Sequence, residues 1–284
     1  MNLPKSLALS FALAASAAAA SAAAASAAAA SAAAASAAAL PDSLARQFEA
    51  FRENAPKMDE IAFYARESGG AYLPEIVAPA DPDRYQSPEK QRLMAGVYWM
   101  DLAYAAAFRQ PDPAARFADS LLRLLESLGH PRPDLARRLR ESLSGVDSPG
   151  GDDAFHSLVR EIESDPIWNE LLATPEGVEI AADALCGYLL EALHVAVENA
   201  VLSDFRPDYL RFVADVRNAF LPFRDLLSAI RDDPDLASLP LSAERLALVA
   251  SILETVGDLP DVGPDQILAL RPVVAAARSR IVGN

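Results

Sequence analysis

The sequence predicts an all-α fold, a single multi-helix bundle-like domain built around two largely apolar helices at about 93–108 and 180–202. Three observations predict it. Beyond residue 40, segment after segment carries helix start and stop signals, of which Ser87-Pro88-Glu89 and Thr174-Pro175-Glu176 are the clearest. No segment shows a sustained period-two alternation bounded by hairpin turns. With 52% hydrophobic residues in 284, the chain also has ample apolar material for a core.

The elements follow in order. Short amphipathic helices are expected at 43–54 and 58–67, the second closed by Gly69 and Gly70. A proline-rich connection, Tyr72 to Gln86, reads as irregular. At Ser87-Pro88-Glu89 a hydroxyl meets the free amides, proline presets φ, and an acid sits at the positive dipole end; the helix then runs to about Arg109. Asp112-Pro113 and Pro133 open helices ending near Gly129 and Gly145, and 148–153 is a polar turn cluster. Helices at about 154–164 and 167–173 precede the long one from Thr174 to about Leu202. Three more are expected at 207–231, 242–256 and 264–282, and short linkers favour antiparallel neighbours. A helix apolar around most of its circumference must be surrounded, so the two greasy helices belong at the centre.

The first 39 residues read as a separate segment. Met1 to Lys5 is a short charged start, Leu7 to Leu13 a hydrophobic stretch, and serine then recurs every fifth position from Ser16 to Ser36 among alanines. This is a secretory signal running into a low-complexity tract, with cleavage bounded at roughly 20–39 and an uncleaved anchor as the alternative. Residues 40–284 form the helical domain, in which no segment is both long and free of charge, so no further span is expected. The expected location is the periplasm or outside.

Of 25 basic and 40 acidic residues only Lys5 lies before residue 41, so the domain is strongly acidic; such a surface repels nucleic acid and anionic headgroups. Cys186 is the only cysteine, which excludes an internal disulfide and any multi-cysteine zinc site; within an apolar run it reads as a small core residue. No Gly-x-Ser-x-Gly elbow, phosphate loop or His-Glu-x-x-His occurs, and neither a cofactor nor a metal is expected.

Asp101 is the most informative polar residue. At 100° per residue its helix face holds Met94, Val97, Ala105 and Phe108, so the carboxylate is interior and needs partners. Tyr98 and Tyr104, on neighbouring turns, are placed to donate hydroxyls to it, and an arginine or a helix N-terminus would also serve. A structural carboxylate is the preferred reading, a pocket residue the other. Glu191-x-x-His194, with Glu198 beyond, has the spacing of di-iron carboxylate helices, but the chain has no second such pair. Glu179, Asp183, Gly187, Glu191, His194 and Glu198 share one arc, which reads instead as a solvated stripe. His156 lies near a helix start, where Asp153 is explained as a cap.

Gly96-Val97-Tyr98-Trp99-Met100-Asp101-Leu102-Ala103-Tyr104-Ala105, the block from Ile180 through Gly187 and Glu191 to His194, and Asp265-Gln266-Ile267 through Arg278 to Val282 together resemble a family of exported, all-helical bacterial proteins of unknown function. Its G-V-Y-x-x-D-L-x-Y-A block matches the first stretch, and the similarity spans most of 41–284. Trp99 and Met100 depart from its small residues, Gly187 stands where a glycine pair is common, and His194 replaces an aromatic. The resemblance implies export and a helical architecture, and no activity. The expected function is therefore a non-enzymatic exported protein that binds a protein partner or a small apolar ligand between its helices; the alternative is a metal-dependent or hydrolytic enzyme using Asp101, Glu191 and His194.

Overall fold

Proline opens most of the helices, because its missing N–H falls where a helix leaves amides unbonded anyway. The computed structural model describes residues 42–54, 65–67, 71–145, 167–234, 236, 243–256 and 262–283, with positions 150, 151, 153, 155, 156 and 159. The expected leader, most of the helices at 58–67 and 154–164, and much of the 148–153 turn lie outside the described residues. The described helices are α1 (Asp42–Asn54), α2 (Pro88–Ala107), α3 (Pro111–Ser127), α4 (Pro133–Leu143), α5 (Ile167–Leu172), α6 (Pro175–Leu202), α7 (Pro207–Asp232), α8 (Ala243–Val256) and α9 (Pro264–Val282). A single 3-10 turn, Pro82–Arg84, precedes α2, and no strand occurs among the described residues.

The two start signals act as read. Ser87 Oγ accepts from the Lys90 amide (3.3 Å) and Thr174 Oγ1 from the Gly177 amide (3.1 Å), each satisfying one free donor of the first turn. Boundaries differ from expectation by a residue or two; α2 stops at Ala107 because Arg109 takes a left-handed conformation (φ 55°). Pro222 and Pro272 lie inside α7 and α9, which continue through the lost hydrogen bond because packing holds both sides.

From residue 41 onward the chain is one compact unit. Its hub is α6, which packs against α2, α5, α7 and α9, and no residue from Gly177 to Ala200 is exposed. α2 lies against α6 and is covered by α3, while α4 covers α3; α1 packs on α7, and α8 on α7 and α9. The apolar length of α6 would suffice to cross a bilayer, yet 89% of its most apolar stretch is buried inside the protein. Cys186 is buried, as a small core residue should be, and burial pushes its thiol up to about 12.

Backbone meets backbone where α2 crosses α6. A Cβ at Gly96 would lie 1.8 Å from the Ala184 carbonyl oxygen, and one at Gly187 would lie 2.0 Å from that of Leu93. Both glycines are therefore required by the crossing, since each side chain would meet an atom unable to swing away. Gly96→Ala and Gly187→Ala are expected to destabilise by about 3 kcal/mol each, the upper end for overpacking. Gly129→Ala, where φ is 84° and nothing lies within 4 Å, should be destabilised by only about 1 kcal/mol, from backbone strain alone. Urea unfolding of the three variants checks the ranking.

Candidate functional site

The acidic arc of α6 is buried. Asp183 and Glu191 are 1% and 0% exposed, and Glu179, His194 and Glu198 are also buried, so the solvated stripe expected from the sequence is corrected. Helical periodicity places these residues on one face but does not say what covers it. Here α2, α8 and α9 cover it, and each carboxylate meets an arginine that they supply.

At the N-terminal half, Arg92 of α2 donates to Glu179 and, at 2.9 Å, to Asp183. Asp183 also accepts from Arg245 of α8 (3.0 Å), which reaches Glu89 as well (2.8 Å). Further along, Glu198 takes a two-pronged contact from Arg271 (2.9 and 2.8 Å), and Glu191 takes one from Arg278 (2.7 and 2.8 Å). Two parallel N–H···O bonds suit the guanidinium fork and leave little of either charge uncompensated. Glu191 and Glu198 are seven residues apart, as are Arg271 and Arg278, so α6 and α9 run antiparallel in register. Residue 92 meets 179 and 183 while 101 meets 191, so α2 and α6 run the same way.

Asp101 stands at the meeting point. It is 0% exposed, and its Oδ2 accepts from the Ala78 amide (2.9 Å). Its Oδ1 finds no donor, and the group it faces is the Glu191 carboxylate. Two carboxylates bond only through a proton. Burial, with Glu191 adding to it, pushes the Asp101 carboxyl well above its ordinary range, which favours its protonated form. With Asp101 neutral, Glu191 and Arg278 cancel and the buried group carries no net charge.

The tyrosines do not donate to Asp101, as the sequence had suggested. Tyr98 donates to the Pro79 carbonyl (2.8 Å) and accepts from the Asp81 amide (3.2 Å); Tyr104 donates to the Ala71 carbonyl (3.2 Å) and accepts from the Leu73 amide (3.3 Å). Residues 71–81 form no regular element, so their N–H and C=O groups need such partners. Tyr98, Asp101 and Tyr104 therefore fasten a strap along α2. From the other side Arg278 donates to the Ile76 carbonyl (2.9 Å), and His194 bonds to the Ile76 backbone. Burial pulls the imidazole below its ordinary range; Glu191 and Glu198 oppose this and Arg278 adds to it.

Asp101, Glu191 and His194 thus come together with Tyr98 and Tyr104 around the strap. Arg278 takes up both oxygens of Glu191, and among the described residues no cluster of three or more histidines, cysteines or carboxylates suits a metal. Sequence reasoning missed Arg92, Arg245, Arg271 and Arg278. The matched seven-residue spacings of Glu191/Glu198 and Arg271/Arg278 were the available signal. A separate apolar groove of about 380 Å³ lies between α3 and α4, floored by Ala115, Ala118, Ala136 and Leu139 and edged by Asp112, Asp119 and Arg140. The chain matches no protein-family model, no curated protein and no solved structure.

Removing one partner of a buried ion pair strands the other. Arg278→Met should cost about 3–5 kcal/mol, and the double variant with Glu191→Gln less than the sum of the two singles, in a urea-unfolding cycle. His194 has the sign of a depressed base. The unfolded chain takes up its proton first, so stability is lost as pH falls from about 6.5 through the lowered folded value. His194→Gln should remove that part of the acid destabilisation, read as a smaller drop in melting temperature between about pH 7 and about pH 5.

Proposed function

We propose that this chain is an exported, non-enzymatic helical protein that takes a protein partner or a small apolar ligand on its helical surface, and that its interior polar residues are architectural. One observation carries the reading: Asp101 and Glu191 have no exposed surface, and every oxygen they offer is directed at Ala78, Arg278 or each other. A catalytic carboxylate must reach substrate, and these meet only protein. The α3–α4 groove supports the ligand half of the reading, since its small residues leave an apolar trough with charges at the edge. The likeness of 96–105 to the G-V-Y-x-x-D-L-x-Y-A block supports membership of an exported family. The leader-like start supports delivery across a membrane, with cleavage between about 20 and 39.

A second reading, a metal-dependent or hydrolytic enzyme, draws on the convergence of Asp101, Glu191 and His194. Metal analysis of the purified protein separates the two. No stoichiometric iron, zinc or manganese is expected; metal that is present and disappears in His194→Ala would replace the first reading with the second. A thermal-shift screen of fatty acids and other apolar metabolites tests the groove, because a ligand of the folded state raises its melting temperature. Ala115→Trp, filling the trough from an exposed position, should abolish that rise. Fractionation of cells expressing the full chain should place the shortened product outside the cytosol.

A further inference from the structure

The strap at 71–81 is held differently from everything around it. The helices beneath it are joined largely by apolar packing, whereas within the strap only Ile76 and Ala78 are buried: α2, α6 and α9 hold these two through Asp101, His194 and Arg278, and Tyr98 and Tyr104 of α2 fasten the backbone on either side. Those two residues sit directly on the Asp101–Glu191 pair: the Ala78 amide donates to Asp101, and the Ile76 carbonyl shares Arg278 with Glu191. A segment with few buried contacts and no helix of its own lies at the low-stability end of the molecule.

We propose that residues 71–81 form a proton-gated strap, clasped over the Asp101–Glu191 pair while one proton is shared between the two carboxyls and released when that proton leaves. This goes beyond the binding role proposed above and stands independently of it. The geometry dictates the direction. Without the proton, two buried carboxylates face a single guanidinium, and the excess negative charge must either be rehydrated or draw Arg278 toward Asp101. Both routes act on the strap, because it is the layer that water would displace and because Arg278 also holds Ile76. Among the surrounding groups only His194 titrates inside the range of the test, and its effect has the opposite sign, weakening the strap as pH falls. On α2 Tyr98 faces Asp101, from the strap Tyr72 does so, α6 supplies Glu191 and beside it His194, and α9 supplies Arg278. The arginine keeps its charge throughout, burial raises both phenols further above the neutral range, and His194 titrates on the acid side.

For the sign, a carboxyl raised in the folded state binds its proton more tightly there than in the unfolded chain. The stability it contributes is complete at low pH and is lost as pH rises from about 3.8 through the raised value. Hydrogen–deuterium exchange of the full chain, corrected for intrinsic rates and run from about pH 4 to about pH 10, tests the gate. Protection of the Leu73, Ala78 and Asp81 amides should fall about tenfold or more across this range while the centre of α6 keeps its protection. Asp101→Asn retains both bonds, its carbonyl accepting from Ala78 and its amide donating to Glu191, so its strap protection should not fall as pH rises; the only change left to it is the loss on the acid side that His194 causes. Strap protection that stays constant in the native protein, or that falls equally in Asp101→Asn, overturns the proposal. Should the variant not fold, the native protein still decides. The Asp101 carboxyl carbon shift and the Ala78 exchange rate must share one midpoint, and separate midpoints reject the gate.

Discussion

Where α2 crosses α6, neither helix has a side chain at the point of contact. Gly96 rests on the Ala184 carbonyl and Gly187 on that of Leu93, so the two backbones approach more closely than any pair of side chains would allow. The helices rise about 1.5 Å per residue, so a crossing pinned at these positions decides what meets on either side. Toward the C-terminal ends Asp101 comes to face Glu191; toward the N-terminal ends Arg92 comes to face Glu179 and Asp183. The polar arrangement of the interior is a consequence of that backbone contact. A larger residue at either glycine would move all of these groups together.

The carboxylates of α6 raise a second question, because charge in a core is expensive. Taking one ion out of water costs several kcal/mol, and the attraction of a well-formed pair roughly returns it, so ion pairs as deeply set as Arg278–Glu191 are a weak source of net stability. They act more strongly on register. If α9 slid by one turn along α6, Arg271 and Arg278 would leave Glu198 and Glu191, and two carboxylates would be buried unpaired. An apolar interface of alanine, valine and leucine tolerates such a slip far more readily. The charged contacts thus select one alignment of helices whose adhesion comes from their apolar faces.

The same economy applies to the strap. A segment interrupted by Pro74 and Pro79 cannot satisfy its own backbone, and the structure hands that task to Tyr98, Asp101, Tyr104 and Arg278. Groups that look chemical in a linear reading, an acid between two tyrosines and a glutamate three residues before a histidine, are used here as fasteners. What remains unusual is that Asp101 faces Glu191 with no donor on its Oδ1, which makes a proton between the two carboxyls the element on which the clasp is proposed to turn.

Much of this was legible in the sequence. The helical class, the starts at Ser87 and Thr174, the burial of both greasy helices and the interior position of Asp101 all follow from local rules, namely capping chemistry, proline geometry and a period of 3.6. Those rules describe a helix in isolation. They put Glu179, Asp183, Glu191 and Glu198 on one face but could not say that the face was dry, since that depends on Arg92, Arg245, Arg271 and Arg278 arriving from distant segments. They placed Tyr98 and Tyr104 beside Asp101 but could not know that a strap would lie across all three and claim the hydroxyls. Local order is written in nearest neighbours along the chain; charge pairing and the sharing of a proton belong to neighbours in space, which only the packed structure assigns.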